Sequence, residues 1–287
     1  MKTYFACSDI HGFFDEFTRD LFQAGFDLNN PEHILIVCGD IFDRGRKPLE
    51  LYHFLRSIPR ERRFMIIGNH ELLLQQLVER QYPLDYDITN GTYNTLLDLN
   101  SEFREAYENW LIENPRDNSF IGNMEWRIKE AKFLESNINS IYENPNIAEI
   151  LAWIKSDEWQ YYLKLGKYIF VHSFIPKETI FDTRWKEASE EEWKEATWVN
   201  PWKHYQQGFF KLEEKEGYTL VCGHWHTSDF YNNLLYRYEP EKRLEIRKSN
   251  PIFKSDLCPG LMGLDTCTVL TGKVNILVLQ ENELRFE

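Results

Sequence analysis

The chain has no disulfide framework. Its five cysteines are odd in number and irregular in spacing, which argues against a small secreted scaffold held together by bridges. Cys7, Cys38 and Cys222 each end an apolar run, the setting of buried, reduced thiols, and this predicts a cytoplasmic protein. Positive charge is also scarce. The 33 lysines and arginines are outnumbered by 46 aspartates and glutamates, leaving a net charge of -13, so the electrostatic footprint of a nucleic-acid binder is missing. No apolar run approaches the ~20 residues of a membrane span, so no membrane partner is expected. Strand-like sequence starts at once after Met1-Lys2-Thr3, which predicts no leader peptide. Internal repeats and low-complexity tracts are absent as well. With 43% hydrophobic and 15% aromatic residues, the chain can bury a sizeable core as one large domain or two small ones.

Three fragments of one kind crowd the first 71 residues. Tyr4-Phe5-Ala6-Cys7 runs into Ser8-Asp9-Ile10-His11-Gly12, and Ile34-Leu35-Ile36-Val37 into Cys38-Gly39-Asp40-Ile41-Phe42-Asp43-Arg44-Gly45. Phe64-Met65-Ile66-Ile67 runs into Gly68-Asn69-His70-Glu71. In each case a buried strand delivers charged or metal-ligating groups to its C-terminal tip. Such charge is costly to bury without a partner, and the fitting partners are a metal ion for the carboxylates and an anion for Arg44. Asp9 and Asp40 are 31 residues apart, Asp40 and Asn69 29, close to the ~30 residues of a βαβ unit. Parallel strands joined in this way place all three tips on one sheet edge, where α/β proteins bind ligands.

Phe13, Phe17 and Leu21 keep helical spacing with Gly25 as a stop, and Pro48 opens a second helix carrying Leu51, Tyr52 and Leu55. A third helix is expected to begin within Glu71–Leu77. From about Gln81 to Leu165 the chain reads as helical. Phe103, Ala106, Tyr107, Trp110 and Leu111 form one amphipathic stripe, and Asn144-Pro145 caps another helix with Ile147, Ile150, Leu151 and Ile154. This stretch holds 15 acidic and 7 basic residues. It is expected to be an acidic helical insertion, forming a wall or lid over the site's mouth. Residues 1–80 and 166–287 would then form the catalytic domain. Strand signals resume at Tyr168–Val171 and Tyr218–Cys222, and closing strands are expected near Gly263–Thr266 and Val274–Leu279. The stretch Trp185 to Trp202 carries four tryptophans to which the sequence assigns no role.

Five of the eight histidines, His11, His70, His172, His224 and His226, sit at strand ends beside other ligand-type residues. His33, His53 and His204 do not, and are expected to be structural. A donor set of Asp, His and Asn without thiolate suits manganese, iron or zinc. Two such ions can clamp the attacking and leaving oxygens of an in-line displacement. The residues therefore point to metal-dependent hydrolysis of a phosphate ester.

In order and spacing, these motifs resemble the calcineurin-like metallophosphoesterases, and among them the phosphoprotein phosphatases, whose signature is GDxHG, GDxxDRG and GNHE followed by two separated histidines. The resemblance implies a β-sandwich flanked by helices (an α/β fold) holding two divalent metal ions, Mn2+ by first choice with Fe or Zn as alternatives. Asp9, His11 and Asp40 would hold the first ion. Asp40 would bridge to the second, held also by Asn69, His172 and His224, and a metal-bound hydroxide would attack phosphorus in line. His70, oriented by Asp43, would protonate the leaving oxygen. Arg44, with Asn69 and His70, would bind the phosphate. Ser8 stands where the family has glycine. Gly223-His224-Trp225-His226 is a full GHxH, which adds His226 to the first ion. The family's second, late arginine has no identifying motif here; Arg184, Lys203 and Arg237 are the candidates.

Substrate class stays divided. Glu71 after His70 follows the protein phosphatases and leads to a serine/threonine phosphatase-like phosphomonoesterase acting on a phosphorylated protein or small phosphoester. Gly-His-Trp and Leu264-Asp265-Thr266 look like the symmetrical dinucleoside tetraphosphatases, the alternative. A third reading is a non-catalytic, metal-stabilised binding module. Asp43, Arg44 and His70 speak against it, since metal binding alone does not require them.

Overall fold

A computed structural model describes residues 1–116, 119–137, 142–176, 184–207, 217–235 and 246–285. The first half alternates strand and helix as the periodicities predict: β1 (Thr3–Cys7), α1 (Phe14–Gln23), β2 (His33–Cys38), α2 (Pro48–Ser57), β3 (Arg63–Ile66) and α3 (Asn69–Arg80). Pro48 is the first residue of α2, where its missing N–H costs nothing. The third helix starts at Asn69, earlier than expected. Glu71 occupies its third position and its carboxylate accepts the Gly68 N–H, so the motif itself is the first helical turn.

β1, β2 and β3 are parallel neighbours. The antiparallel strand β9 (Leu277–Gln280) flanks β1, and β4 (Trp159–Gln160) runs parallel to β3 at the other edge. A second sheet holds β5 (Tyr162–Leu165), β6 (Tyr168–Val171), β7 (Thr219–Cys222) and β8 (Leu261–Gly263) in that order. β4 and β5 fall inside the stretch read as helical. Both are short, and Trp159 to Leu165 offers too few residues for an alternation to stand out. The closing strands are also shifted, to Leu261–Gly263 and Leu277–Gln280, because their pairing partners set the register.

Alternation along the strands builds four layers. Tyr4, Ala6, Ile34, Ile36 and Cys38 on one face meet Tyr168, Phe170, Val221 and Met262 of the second sheet, forming the sandwich core. On the opposite face Phe5, Cys7, Leu35 and Val37 pack against Phe17, Leu21, Leu51, Leu55 and Leu74 of α1 to α3. The outer face of the second sheet is covered in part by Trp185, Trp193 and Trp202, which explains three of the four tryptophans in that stretch. Trp198, the fourth, is 49% exposed. The intervening helices are α4 (Asp85–Asn90), α5 (Thr92–Asp98), α6 (Ser101–Glu113) and α7 (Phe120–Ser136), followed by a helix over Pro145–Ile154. Phe103, Leu134, Ile147, Ile150 and Ile154 bury the apolar stripes in the same core as α2 and α3. Among the described residues no helix is long and apolar enough to cross a membrane.

Candidate metal centre and phosphate site

All three tips of β1 to β3 reach one sheet edge, and the tips of β6 and β7 face them from the second sheet. The turns that follow the strands are tight. Asp9, His11, Asp40, Asp43, Arg44 and His224 all have positive φ, between 51° and 75°. Left-handed backbone at that many non-glycine residues persists only where surrounding contacts enforce it. Here those contacts include bonds between the turns, among them His11 N to the Asp40 carbonyl and Gly45 N to the His11 carbonyl. Gly223 permits one such approach, since a Cβ there would lie 2.1 Å from Asp9 Oδ2. Through that gap Asp9 Oδ2 accepts the His224 N–H at 3.0 Å.

Asp40 is the hub. Its Oδ2 lies 3.8 Å from His11 Nε2, 3.7 Å from His70 Nε2 and 3.4 Å from His172 Nε2. Its Oδ1 accepts the His70 N–H at 3.0 Å. Among the described residues, two groups could hold an ion, His11–Asp40–His70 and Asp40–His172–His224, with Asp40 common to both. Asp9 Oδ1 stands 3.8 Å from His11 Nε2 at the margin of the first.

The hydrogen bonds settle which ring nitrogens carry lone pairs. His11 Nδ1 donates to the Phe42 carbonyl at 2.8 Å and His172 Nδ1 to the Cys38 carbonyl at 2.9 Å. Each Nε2 is then an acceptor. The His224 ring donates to the Trp198 carbonyl, and its Nδ1 approaches His172 Nε2 to 3.2 Å. Asn69 Oδ1 lies 2.8 Å from the same His172 nitrogen. With a neutral His172 ring, its Nε2 lone pair meets those of Asn69 Oδ1 and Asp40 Oδ2 beside His224 Nδ1, an arrangement that a cation at the centre relieves. The donor set fits a divalent metal. Burial lowers the pKa of His11, helped by the charges of His70 and Arg44, and burial with the His172 neighbour lowers that of His224. Both rings are therefore held neutral, as ligation demands.

Beside this centre stands a proton-handling pair. His70 Nδ1 is 2.5 Å from Asp43 Oδ2. Burial favours the neutral His70 ring, but the Asp40 and Asp43 carboxylates outweigh it and raise the pKa. Arg44 reaches His11 Nε2 at 2.9 Å and His70 Nε2 at 3.4 Å, so the guanidinium lies at the mouth between both groups.

His226 sits apart. Its Nε2 is 4.0 Å from Asp265 Oδ2 and the ring bonds to Cys267. The Cys267 bond, with the Asp265 charge against burial, raises its pKa to about 9. Asp265 in turn neighbours Asp9; burial and that charge push its carboxyl up to about 7. Of the late-arginine candidates, Lys203 is exposed on the helix Pro201–Gln206. Arg237 and the Arg184 side chain lie outside the described residues. His33 is structural as expected, accepting the Asp27 N–H and packing on Phe5.

Three contributors escaped the sequence reading. The Glu71 carboxylate accepts the N–H groups of Asp40, Ile41 and Gly68 and so ties the tip of β2 to the start of α3. Thr92 and Thr95 bond to Asp43. The capping pattern Gly68-x-x-Glu71 signalled the first. No sequence signal marked the threonines, which lie about 50 residues from Asp43.

The pattern that defines the calcineurin-like phosphoesterases matches residues 3–228. The chain belongs to that family. It is a metal-dependent phosphoester hydrolase of the kind the sequence motifs announced. Among its relatives is a symmetrical bis(5'-nucleosyl)-tetraphosphatase of Nitrosococcus oceani, 24% identical over 78% of this chain and 82% of that one. A protein of the same name from Haemophilus influenzae is 23% identical over 78% and 83%. In Buchnera aphidicola the likeness rises to 39%, over 26% of this chain and 25% of that one. A solved mutant of a cold-active protein tyrosine phosphatase shares the fold, with a TM-score of 0.52 and 16% identity over 98% of this chain and 76% of that one.

Proposed function

We propose that this phosphoesterase cleaves its substrate at a two-metal centre and that its substrate is a dinucleoside polyphosphate cut at the central bridge. The observation that carries the chemistry is the Asp40 carboxylate, which faces His11 on one side and His172 on the other, beside the His70–Asp43 pair and Arg44. Asp9, His11 and Asp40 would hold one ion, and Asp40, Asn69, His172 and His224 the other, while His226 faces Asp265 and Cys267 instead. Mn2+ is the first choice for a mixed oxygen and imidazole set. When bound, the ions supply Lewis acidity and a water acidic enough to ionise near neutral pH. The protein groups do the rest. Arg44 holds phosphoryl oxygens through its fork of donors. The Asp40 and Asp43 carboxylates favour the imidazolium form of His70, in which Nδ1–H donates to Asp43 Oδ2 and Nε2–H faces the mouth, and that second proton goes to the departing oxygen. Burial of Asp40, His70 and Asp43 excludes bulk water from the transfer.

For the substrate, the tetraphosphatase relatives matched along most of their length favour the dinucleotide. They reverse the order in which the sequence motifs ranked the two classes. Phosphomonoester hydrolysis remains the second reading, because Glu71 follows His70 as in the protein phosphatases. Manganese-loaded protein incubated separately with diadenosine tetraphosphate, a phosphopeptide and an aryl phosphate separates them. ADP as the sole nucleotide product, formed faster than phosphate from the other two, supports the first reading. Preference for the phosphopeptide sinks it.

A further inference from the structure

Asp43 is completely buried, and a buried carboxylate needs donors around it. Two of its donors come from an unexpected place, the first turn of α5. Thr92 Oγ1 donates to Asp43 Oδ2 at 2.7 Å, the oxygen that also accepts the His70 Nδ1–H. Thr95 Oγ1 donates to Oδ1 at 2.7 Å and accepts the Asp43 backbone N–H at 2.9 Å, a two-way clasp. Both threonines are themselves buried. The residue before them, Gly91, has φ +89°, and a Cβ there would lie 2.9 Å from the Arg44 nitrogen. The α4–α5 turn therefore rests directly on the backbone of Asp43 and Arg44, two residues held in left-handed conformation.

We propose that Thr92 and Thr95 are positioning residues for leaving-group protonation: their hydroxyls fix the Asp43 carboxylate, and through it the plane and tautomer of His70. This rests on the reading of His70 as the acid. Asp43 has one rotatable plane and two oxygens. The Thr95 bond pins one oxygen and the Thr92 bond the other, so Oδ2 can meet His70 Nδ1 in only one orientation. A hydrogen bond to an ionised group in a site closed to water is stronger than a neutral one. Losing it lets the carboxylate turn and the imidazole follow. The metal ligands are not among the contacts of either hydroxyl, so ion binding is untouched. The segment read from sequence as an insertion thereby supplies part of the acid's support.

The test compares Thr92→Val, which keeps shape and removes the donor, with Thr92→Ser, which keeps the donor. Both are loaded with manganese and assayed on an alkyl and a nitrophenyl phosphate. Nitrophenolate departs without a proton and alkoxide does not. Thr92→Val is expected to lose ~10–100-fold in kcat on the alkyl ester, the range for a bond to a charged group, with KM, metal content and nitrophenyl turnover close to the parent's. Thr92→Ser restores the alkyl rate. Should Thr92→Val fold poorly, Thr92→Cys replaces it, since a thiol is a weak donor of similar size. His70→Asn is run alongside. If it penalises both esters equally, the acid reading is wrong. If it is selective for the alkyl ester while Thr92→Val keeps the parent's alkyl-to-nitrophenyl ratio, the positioning inference alone is overturned.

Discussion

Replacing Glu71 by glutamine would test what holds the metal-bearing turn in place. The Glu71 side chain is fully buried and makes no proposed contact with metal or phosphate, yet its two oxygens accept three backbone N–H groups. Oε2 takes those of Asp40 at 2.9 Å and Gly68 at 2.8 Å, and Oε1 takes that of Ile41 at 2.8 Å. Glutamine can keep its carbonyl on the two-donor side, but its amide N–H2 then faces the Ile41 N–H. One charge-assisted bond is lost and a buried donor is left without an acceptor, at a cost of about 2–4 kcal/mol. Alanine would strand all three donors, at about 3–9 kcal/mol, comparable with the ~5–15 kcal/mol that keeps a typical domain folded. Glutamine is therefore the informative change. At ~2–4 °C per kcal/mol for a chain of this size, Tm should fall by ~5–15 °C. Metal affinity should fall with it, because the Asp40 backbone would no longer be fixed. Thermal unfolding followed by circular dichroism, with manganese titrated in parallel, measures both. A variant that melts with the parent and binds metal equally well would refute the argument.

Asp40→Asn should reduce tightly bound metal from two equivalents to one or none and abolish turnover; elemental analysis that still finds two ions would remove Asp40 from the bridging role. Asp98 offers a pH test away from the site. Burial, against the pull of Arg104 and Arg46, pushes its carboxyl up to about 6, and its Oδ2 is buried without a hydrogen-bond partner. The folded state therefore takes up this proton more readily than the unfolded chain, where Asp titrates near ~3.9. The contribution of Asp98 to stability is greatest below ~4 and falls as pH rises to ~6. Asp98→Asn should flatten that fall, read as urea midpoints at pH 4.5 and 7. An unchanged slope would mean that the carboxyl is solvated.

By itself the sequence determined the family, the parallel β1–β2–β3 core and nearly every group that gathers round Asp40. The reason is local. A buried parallel strand is an apolar run, and a ligand at its tip follows within two or three residues. Asp9, Asp40 and Asn69 could thus be read off one after another, and spacing placed them on one edge. His172 and His224 were legible for the same reason, although they belong to the second sheet. What tertiary structure decided was the relation between segments far apart in the chain. Thr92 and Thr95 reach Asp43 only because α5 packs across the β2 turn. The hydrogen bonds that choose the lone pairs of His11 and His172 run to backbone carbonyls of β2 and the turn after it. The short edge strand at Trp159–Gln160 exists because β3 offers it a ladder. His226, two residues from His224 in the motif, turns to Asp265 and Cys267, residues that β8 brings alongside. Hydrophobic pattern and ligand type are written residue by residue, whereas partners that meet through packing leave no mark on their neighbours in sequence.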